Sequence, residues 1–346
     1  MNKHGGYFGS NAGSVIDFSV NVNPLGVSPK LIEHLKKSLE DIARYPEIDG
    51  ETGKNLLSKS LDTHINQIIL GNGATELIYL FAKAIKPNKV LIVEPTFTEY
   101  RRAFEINGSS IYQFIVSSNK DFNIDIDGLL DEIKLIQPDV VVICNPNNPT
   151  GTFIEKEKIK AILETLNKMQ SFLFIDESFI DFTNKGSCKE YIIKYPLFIL
   201  RSMTKFYAIA GLRLGYGLAH KDLTAKLNIF KEPWTVNSLA LQSLPVLLDD
   251  KEYKEMTLKW FHEEKDFLFR ELTKLNYLKV FKSSSNFFLC MLTDRDAEKL
   301  QNYLLEQGIY IRTCSDFYGL NNSYFRIAIR THDENLMLIN ILKKLK

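Results

Sequence analysis

From about residue 67 to 235, short β-rich apolar runs alternate with longer segments of helical period, and this alternation most limits what the chain can become. Strands are expected at 67–70, 89–93, 110–115, 139–144, 172–175, 197–200 and 214–218. Helices are expected at 74–85, 98–106, 126–135, 156–169 and 222–230. Residues 140–143, Val-Val-Val-Ile, are apolar throughout, as in a strand covered on both faces. The spacing predicts an α/β domain with a mostly parallel sheet. After residue 235 the pattern changes. Long helical stretches at 237–248 and 251–275 lead into strands at 287–292, 309–311 and 324–329, with helices at 297–307 and 334–345. These read as a smaller α+β domain. The polar, glycine-rich start reads as an arm packed against a site. The expected division is an arm at 1–29, a large domain at 30–235 and a small domain at 236–346.

Composition excludes several classes of function. Lys and Arg number 43 against 42 Asp and Glu, a net charge of +1, so nothing points to nucleic acid or an anionic membrane as partner. No apolar run approaches the roughly 20 residues of a membrane span. The start, Met1-Asn2-Lys3-His4-Gly5-Gly6, lacks the apolar stretch of a signal peptide. Cys144, Cys188, Cys290 and Cys314 are widely separated and form no zinc or Cys-x-x-Cys spacing. A cytoplasmic location is the expectation.

The chemistry centres on Lys205. It follows the apolar run 197–200 in Ser202-Met203-Thr204-Lys205 and precedes Gly211-Leu212-Arg213-Leu214-Gly215. An amine so placed, its pKa lowered by desolvation or a nearby cation, can form a Schiff base. Ser202 and Arg213 can hold a phosphate beside it, the hydroxyl as donor and the guanidinium as a fork. A Schiff-base lysine with a phosphate clamp suggests pyridoxal phosphate (PLP). Ser-x-x-Lys alone also occurs in serine acyl-transfer enzymes, so the other segments matter.

Four of them bear on this reading. Strand 67–70 runs into Gly71-Asn72-Gly73-Ala74-Thr75-Glu76, which is either a tight turn or a phosphate cup. As a cup, its donors are the Ala74 and Thr75 N–H groups and the Thr75 hydroxyl. The loop 144–151, Cys-Asn-Pro-Asn-Asn-Pro-Thr-Gly, follows the most buried strand, where ligands of open α/β sheets bind. An asparagine there can donate to a phenolate oxygen, and Asn148-Pro149 is a candidate cis bond. Strand 172–175 ends in Asp176-Glu177. An acid in a dry pocket needs a cation to stay ionised, and a protonated pyridine nitrogen would serve. Glu177 is the rival for that role, and a metal-ligating pair is the other reading. Phe97, after strand 89–93, is either core or a platform for a ring.

In this order the segments resemble fold-type I PLP enzymes of the histidinol-phosphate aminotransferase-like group. They are Gly-x-Gly-Ala-Thr-Glu, Pro-Thr-Phe, Asn-Asn-Pro-Thr-Gly, Asp-Glu-Ser-Phe, Ser-x-x-Lys and Gly-x-Arg-x-Gly, and the match covers nearly the whole chain. The resemblance implies an aspartate aminotransferase-like fold and a homodimer. It implies that Lys205 carries PLP, that Asp176 pairs with the ring nitrogen and that Asn148 contacts the phenolate oxygen. Ala74, Thr75, Ser202 and Arg213 would bind phosphate and Phe97 would stack on the ring. Arg44-Tyr45-Pro46 is similar to a segment whose tyrosine reaches the partner subunit's cofactor phosphate, so Tyr45 is the candidate.

Two branches of the group compete. The chain resembles the threonine-phosphate decarboxylases of cobalamin biosynthesis more than the histidinol-phosphate aminotransferases. His4-Gly5-Gly6, the arm 17–26 and the segments 311–320 and 325–331 carry that likeness. Position 179 is Phe, where the aminotransferases usually have a tyrosine. The branch implies decarboxylation of O-phospho-L-threonine to (R)-1-amino-2-propanol phosphate. Its substrate ligands would be His4, the Gly5 backbone, Asn23, Asn148, Arg312 and Arg326. Arg330 either adds charge there or sits solvated at the surface. Amine transfer on histidinol phosphate is the alternative.

Overall fold

The computed structural model describes residues 4–9 and 12–345. Residues 1–3, part of the expected arm, lie outside the described residues, as do 10, 11 and 346. The arm carries a two-residue strand, β1 (Ile16–Asp17). Two helices follow, α1 (Pro29–Lys37) and α2 (Glu51–Leu61). The apolar alternation gave no signal for them. Each is short and half exposed, with only Leu31 buried on α1 and only Gly53 and Leu57 on α2.

The alternating region then folds as its pattern predicts. Its elements are β2 (Ile68–Asn72), α3 (Gly73–Ile85), β3 (Lys89–Glu94), α4 (Glu99–Ile106) and β4 (Ser110–Ile115). Next come α5 (Ile126–Ile136), β5 (Val140–Cys144), α6 (Lys156–Lys168) and β6 (Phe172–Asp176). It ends with β7 (Leu197–Ser202), β8 (Leu214–Ala219) and α7 (Lys221–Phe230). The seven strands lie in the order β2-β8-β7-β6-β5-β3-β4, and β8 alone runs against the rest. This is an α/β architecture with a mostly parallel sheet. Helices on both faces bury the middle strands completely, which is why Val140 to Ile143 carry no polar residue. On one face Phe81 of α3 meets Phe104, Phe172, Phe174 and Phe198 at ring separations of 5.1 to 6.3 Å. Removing such a fully buried ring costs about 3–5 kcal/mol.

The remainder contains α8 (Ser238–Asp249), α9 (Lys251–Leu272), β9 (Leu278–Val280) and β10 (Phe287–Leu292). It closes with α10 (Ala297–Glu306), β11 (Ile309–Tyr310), β12 (Arg312–Thr313), β13 (Tyr324–Ala328) and α11 (His332–Leu342). Strands β12, β13, β10 and β9 form an antiparallel sheet. The single strand expected at 309–311 is split. β11 pairs with β1 of the arm, and β12 turns to pair with β13. That split stitches the arm to the C-terminal sheet and leads Arg312 inward. Among the described residues no helix is long and apolar enough to cross a membrane.

Candidate active site

The carboxyl ends of β3, β5, β6 and β7 open on one cavity of about 340 Å³. The chain comes to it from three directions: the parallel sheet, the arm and the C-terminal sheet. Lys205 lies at its floor, just past β7. Its ammonium donates to the Ser202 hydroxyl over 3.0 Å, and that hydroxyl shares a hydrogen bond with Thr204 over 2.8 Å. Burial lowers the Lys205 pKa, and the guanidinium of Arg213 lowers it further against the pull of Asp176. An amine so disposed is easier to deprotonate and hence a better nucleophile.

Asp176 ends β6 next to Cys144 at the end of β5. It is buried, and its Oδ1 accepts from the Ser178 N–H over 2.7 Å. Of the two adjacent acids only Asp176 lines the cavity. Glu177 points the other way, where its Oε1 accepts from the Cys188 N–H over 2.8 Å and its Oε2 lies 3.5 Å from Arg201. Among the described residues no three His, Cys, Asp or Glu side chains cluster as metal ligands.

Ala74 and Thr75 sit in the first turn of α3, whose N-cap residue Asn72 makes no side-chain cap. First-turn amides have no partner within their helix and suit an anion. Arg213 stands beside them in the left-handed region at φ 58. A Cβ on Gly73, itself at φ 74, would collide with the Arg213 guanidinium, so only glycine admits that close approach. Phe97 lines the cavity with its ring edge-on to Tyr100 at 5.7 Å.

Asn148 lies between two cis bonds, Asn145-Pro146 before it and its own with Pro149. Its Oδ1 accepts from Arg326, and its Nδ2 has no protein acceptor among the described residues. That amide is a spare donor facing the cavity. Arg326, on β13, also donates to the Ser19 carbonyl over 2.7 Å, and its buried Nε has no protein partner. Burial lowers its pKa to about 10, with Arg312 adding repulsion. Arg312 lies beside it across the β12–β13 pair and is tied to Asp316 at 2.6 Å. His4 and Gly5 close the cavity from the arm. The His4 Nε2 lies 3.2 Å from Glu99, and a Cβ on Gly5 would strike the Ser19 carbonyl.

Asn23 lies elsewhere, as do Arg330, whose role the sequence left open, and Tyr45, which was expected at a partner's site and not at this one. Asn23 does not line the cavity. It is buried, and its amide nitrogen is taken up by the Phe206 carbonyl, the Tyr253 hydroxyl and the Thr257 hydroxyl at 2.9 to 3.0 Å. Two residues earlier, Asn21 does line it, and its buried Oδ1 has no partner among the described residues. An orphaned amide oxygen in a cavity wall awaits a donor. The two asparagines share one polar segment, and only the fold shows which faces inward. Arg330 is turned away as well. It donates to the Asp17 carbonyl over 3.0 Å and pairs with Glu334 at 2.9 Å. Tyr45 is 83% exposed, far from burial in any site of its own subunit, and its ring lies 5.2 Å from Trp234. Tyr100, Thr204, Ser19 and Cys144 also line the cavity or touch its groups without having been singled out in the sequence. One further contact braces the mouth. The Arg101 guanidinium lies 5.0 Å over the ring of Tyr318, next to the cavity residue Phe317, and 3.4 Å from the buried Glu94.

Residues 13–342 match the family described as aminotransferase class I and II. The chain belongs to that family. A threonine-phosphate decarboxylase of Salmonella typhimurium is 34% identical to it over 97% of this chain and 92% of that protein. The solved histidinol-phosphate aminotransferase of Clostridium acetobutylicum superposes with a TM-score of 0.89 at 33% identity, covering 95% of this chain and 98% of that one. The L-threonine-O-3-phosphate decarboxylase of Porphyromonas gingivalis superposes with a TM-score of 0.86 at 29% identity, covering 94% and 98%. The fold is that of the aspartate aminotransferases, and this class I and II aminotransferase relative depends on PLP. The cavity fits that cofactor in its donor set: an amine with lowered pKa, a buried carboxylate, an uncapped helix N-terminus and a guanidinium beside it.

Proposed function

We propose that this enzyme decarboxylates O-phospho-L-threonine to (R)-1-amino-2-propanol phosphate, a product that would serve cobalamin biosynthesis. The observation that carries this reading is the pairing of Arg312 and Arg326, 6% exposed each, in one cavity with His4, Gly5 and Asn21. A phosphate and a carboxylate on one small substrate need several charged donors. A cation buried as deeply as Arg326 is costly until an anion meets it.

In this reading Lys205 would hold PLP, Asp176 would pair with the ring nitrogen and Asn148 would donate to the phenolate oxygen. Ala74, Thr75, Ser202 and Arg213 would hold the cofactor phosphate, and Phe97 would stack on the ring. When bound, PLP supplies an aldehyde that takes up the substrate amine and an electron-withdrawing ring that weakens a bond to Cα. The arginines and the arm would hold the substrate's anionic groups and so select which bond is presented. For decarboxylation the bond between Cα and the carboxylate breaks, carbon dioxide leaves and Cα gains a proton, with no oxidant needed. Lys205, which lines the same cavity, would be the group to deliver that proton. Phe179, 5% exposed, puts a ring without a hydroxyl in the cavity wall.

Amine transfer on histidinol phosphate is the second reading, favoured by the likeness to the Clostridium acetobutylicum enzyme. The test is incubation with threonine phosphate. Carbon dioxide release supports the decarboxylase. Amine transfer to 2-oxoglutarate without gas supports the aminotransferase. A homodimer belongs to the proposal, with Tyr45 donated to the partner's phosphate site. The exposed apolar side chains Ile42, Tyr45, Ile48 and Trp234 support such a contact. The division of the chain near residues 29 and 236 is likewise part of the proposal.

A further inference from the structure

Tyr100 of α4 is fully buried, its ring edge-on to Phe97 at 5.7 Å and tilted on Phe174 at 6.0 Å. A phenylalanine would fill that space as well. The hydroxyl is what needs a reason, and it has one partner of consequence. It donates to Oδ2 of Asp176 over 2.6 Å, while the Ser178 N–H serves Oδ1. Each carboxylate oxygen thus has one protein donor and keeps a lone pair for the cavity. The two donors come from different elements, α4 and the turn after β6, so together they fix the plane of the carboxylate as one alone would not.

The proton stays on the tyrosine. Burial first, and the adjacent carboxylate second, drive the phenol well above its ordinary value. The other titratable groups facing this pair are the Cys144 thiol from β5, Lys205 after β7 and Arg213 before β8. Burial and Asp176 push the Cys144 thiol upward, so it too stays neutral. The arrangement is therefore a neutral phenol donating to a carboxylate oxygen.

We propose that Tyr100 is a positioning residue that holds the Asp176 carboxylate in plane, and through it sets the grip on the PLP ring nitrogen. The inference rests on Asp176 as the partner of that nitrogen. Losing this buried hydrogen bond is expected to weaken PLP binding about tenfold.

The test is a double-mutant cycle read as the PLP dissociation constant of the full-length protein, with thermal melting as the check on folding. Tyr100→Phe is expected to raise that constant about tenfold in the parental protein and less than about twofold in an Asp176→Ala background. Tyr100→His, which keeps a donor, is expected to recover most of the loss, and it carries the test if the phenylalanine variant does not fold. An equal loss in both backgrounds, or affinity unchanged by Tyr100→Phe while Asp176→Ala weakens it, overturns the role of Tyr100. If Asp176→Ala itself leaves PLP affinity unchanged, the reading of Asp176 fails, and the inference built on it falls for that separate reason.

Discussion

The backbone N–H of Asn23 donates to the carbonyl of Lys205 over 3.0 Å. The same residue's side chain donates to the carbonyl of Phe206 over 2.9 Å and to Tyr253 and Thr257 on α9. Asn23 thus anchors the peptide that carries the reactive amine. Replacing it by alanine leaves buried acceptors unmet, at about 1–3 kcal/mol. Asn23→Ala is expected to melt at lower temperature and to hold less borohydride-trappable PLP, with KM for threonine phosphate little changed. A large rise in KM with full PLP occupancy would speak for direct substrate contact instead.

Lys205→Ala is expected to fold, because the ammonium is desolvated and its removal relieves a buried charge. It should show no imine absorbance, no borohydride-trappable adduct and no turnover. Activity near the parental level would refute the assignment of the amine.

Arg326 and Arg330 are four residues apart but differ in surroundings, so their variants should separate. Arg326→Gln removes a guanidinium whose Nε is unpartnered in the cavity. Its kcat/KM for the phosphorylated substrate is expected to fall by about 100-fold or more, mostly through KM. Arg330→Gln breaks the tie to Asp17 and Glu334 and should cost about 1 kcal/mol of stability, with KM within about twofold. Steady-state kinetics and denaturant titration on both proteins check the pair.

Glu94 ends β3 with its side chain buried. Burial pushes its carboxyl up to about 7, against the Thr96 N–H and Arg101, which pull it down. In the unfolded chain the same group titrates near 4.5. Between those values the folded protein keeps a proton that the unfolded chain has lost. This contribution to stability is complete below about 4.5 and is lost as pH rises through about 7, by at most about 3 kcal/mol. Glu94→Gln should flatten that slope. Urea midpoints of both proteins at about pH 5 and about pH 8 measure it, and parallel pH profiles would count against the buried acid.

The sheet was legible because its strands alternate with helices and its middle strand is apolar throughout. The cluster around Lys205 was legible because Ser202, Lys205 and Arg213 lie within one short stretch, and the turn at Gly73 marks itself by its glycines. Asn21 and Asn23 were not separable, since both sit in one irregular polar segment and only its path past Lys205 turns one amide outward to α9. Tyr100 gave no signal, because a tyrosine in an apolar helix face reads as core until the carboxylate 76 positions away folds against it. Arg330 shares a segment with Arg326, but the chain leaves β13 between them, and the capping box of α11 captures it through Glu334.

The Arg101 guanidinium spans two parts of the molecule: Glu94 on the large sheet, and the ring of Tyr318 in the loop that follows Arg312. A cation on a half-exposed aromatic face is worth about 0.5–1 kcal/mol. Thermal energy releases so weak a catch readily. The wall that presents Arg312 and Phe317 therefore takes its firmness from the β12–β13 ladder and its own buried packing, and this clasp at its rim adds little to either.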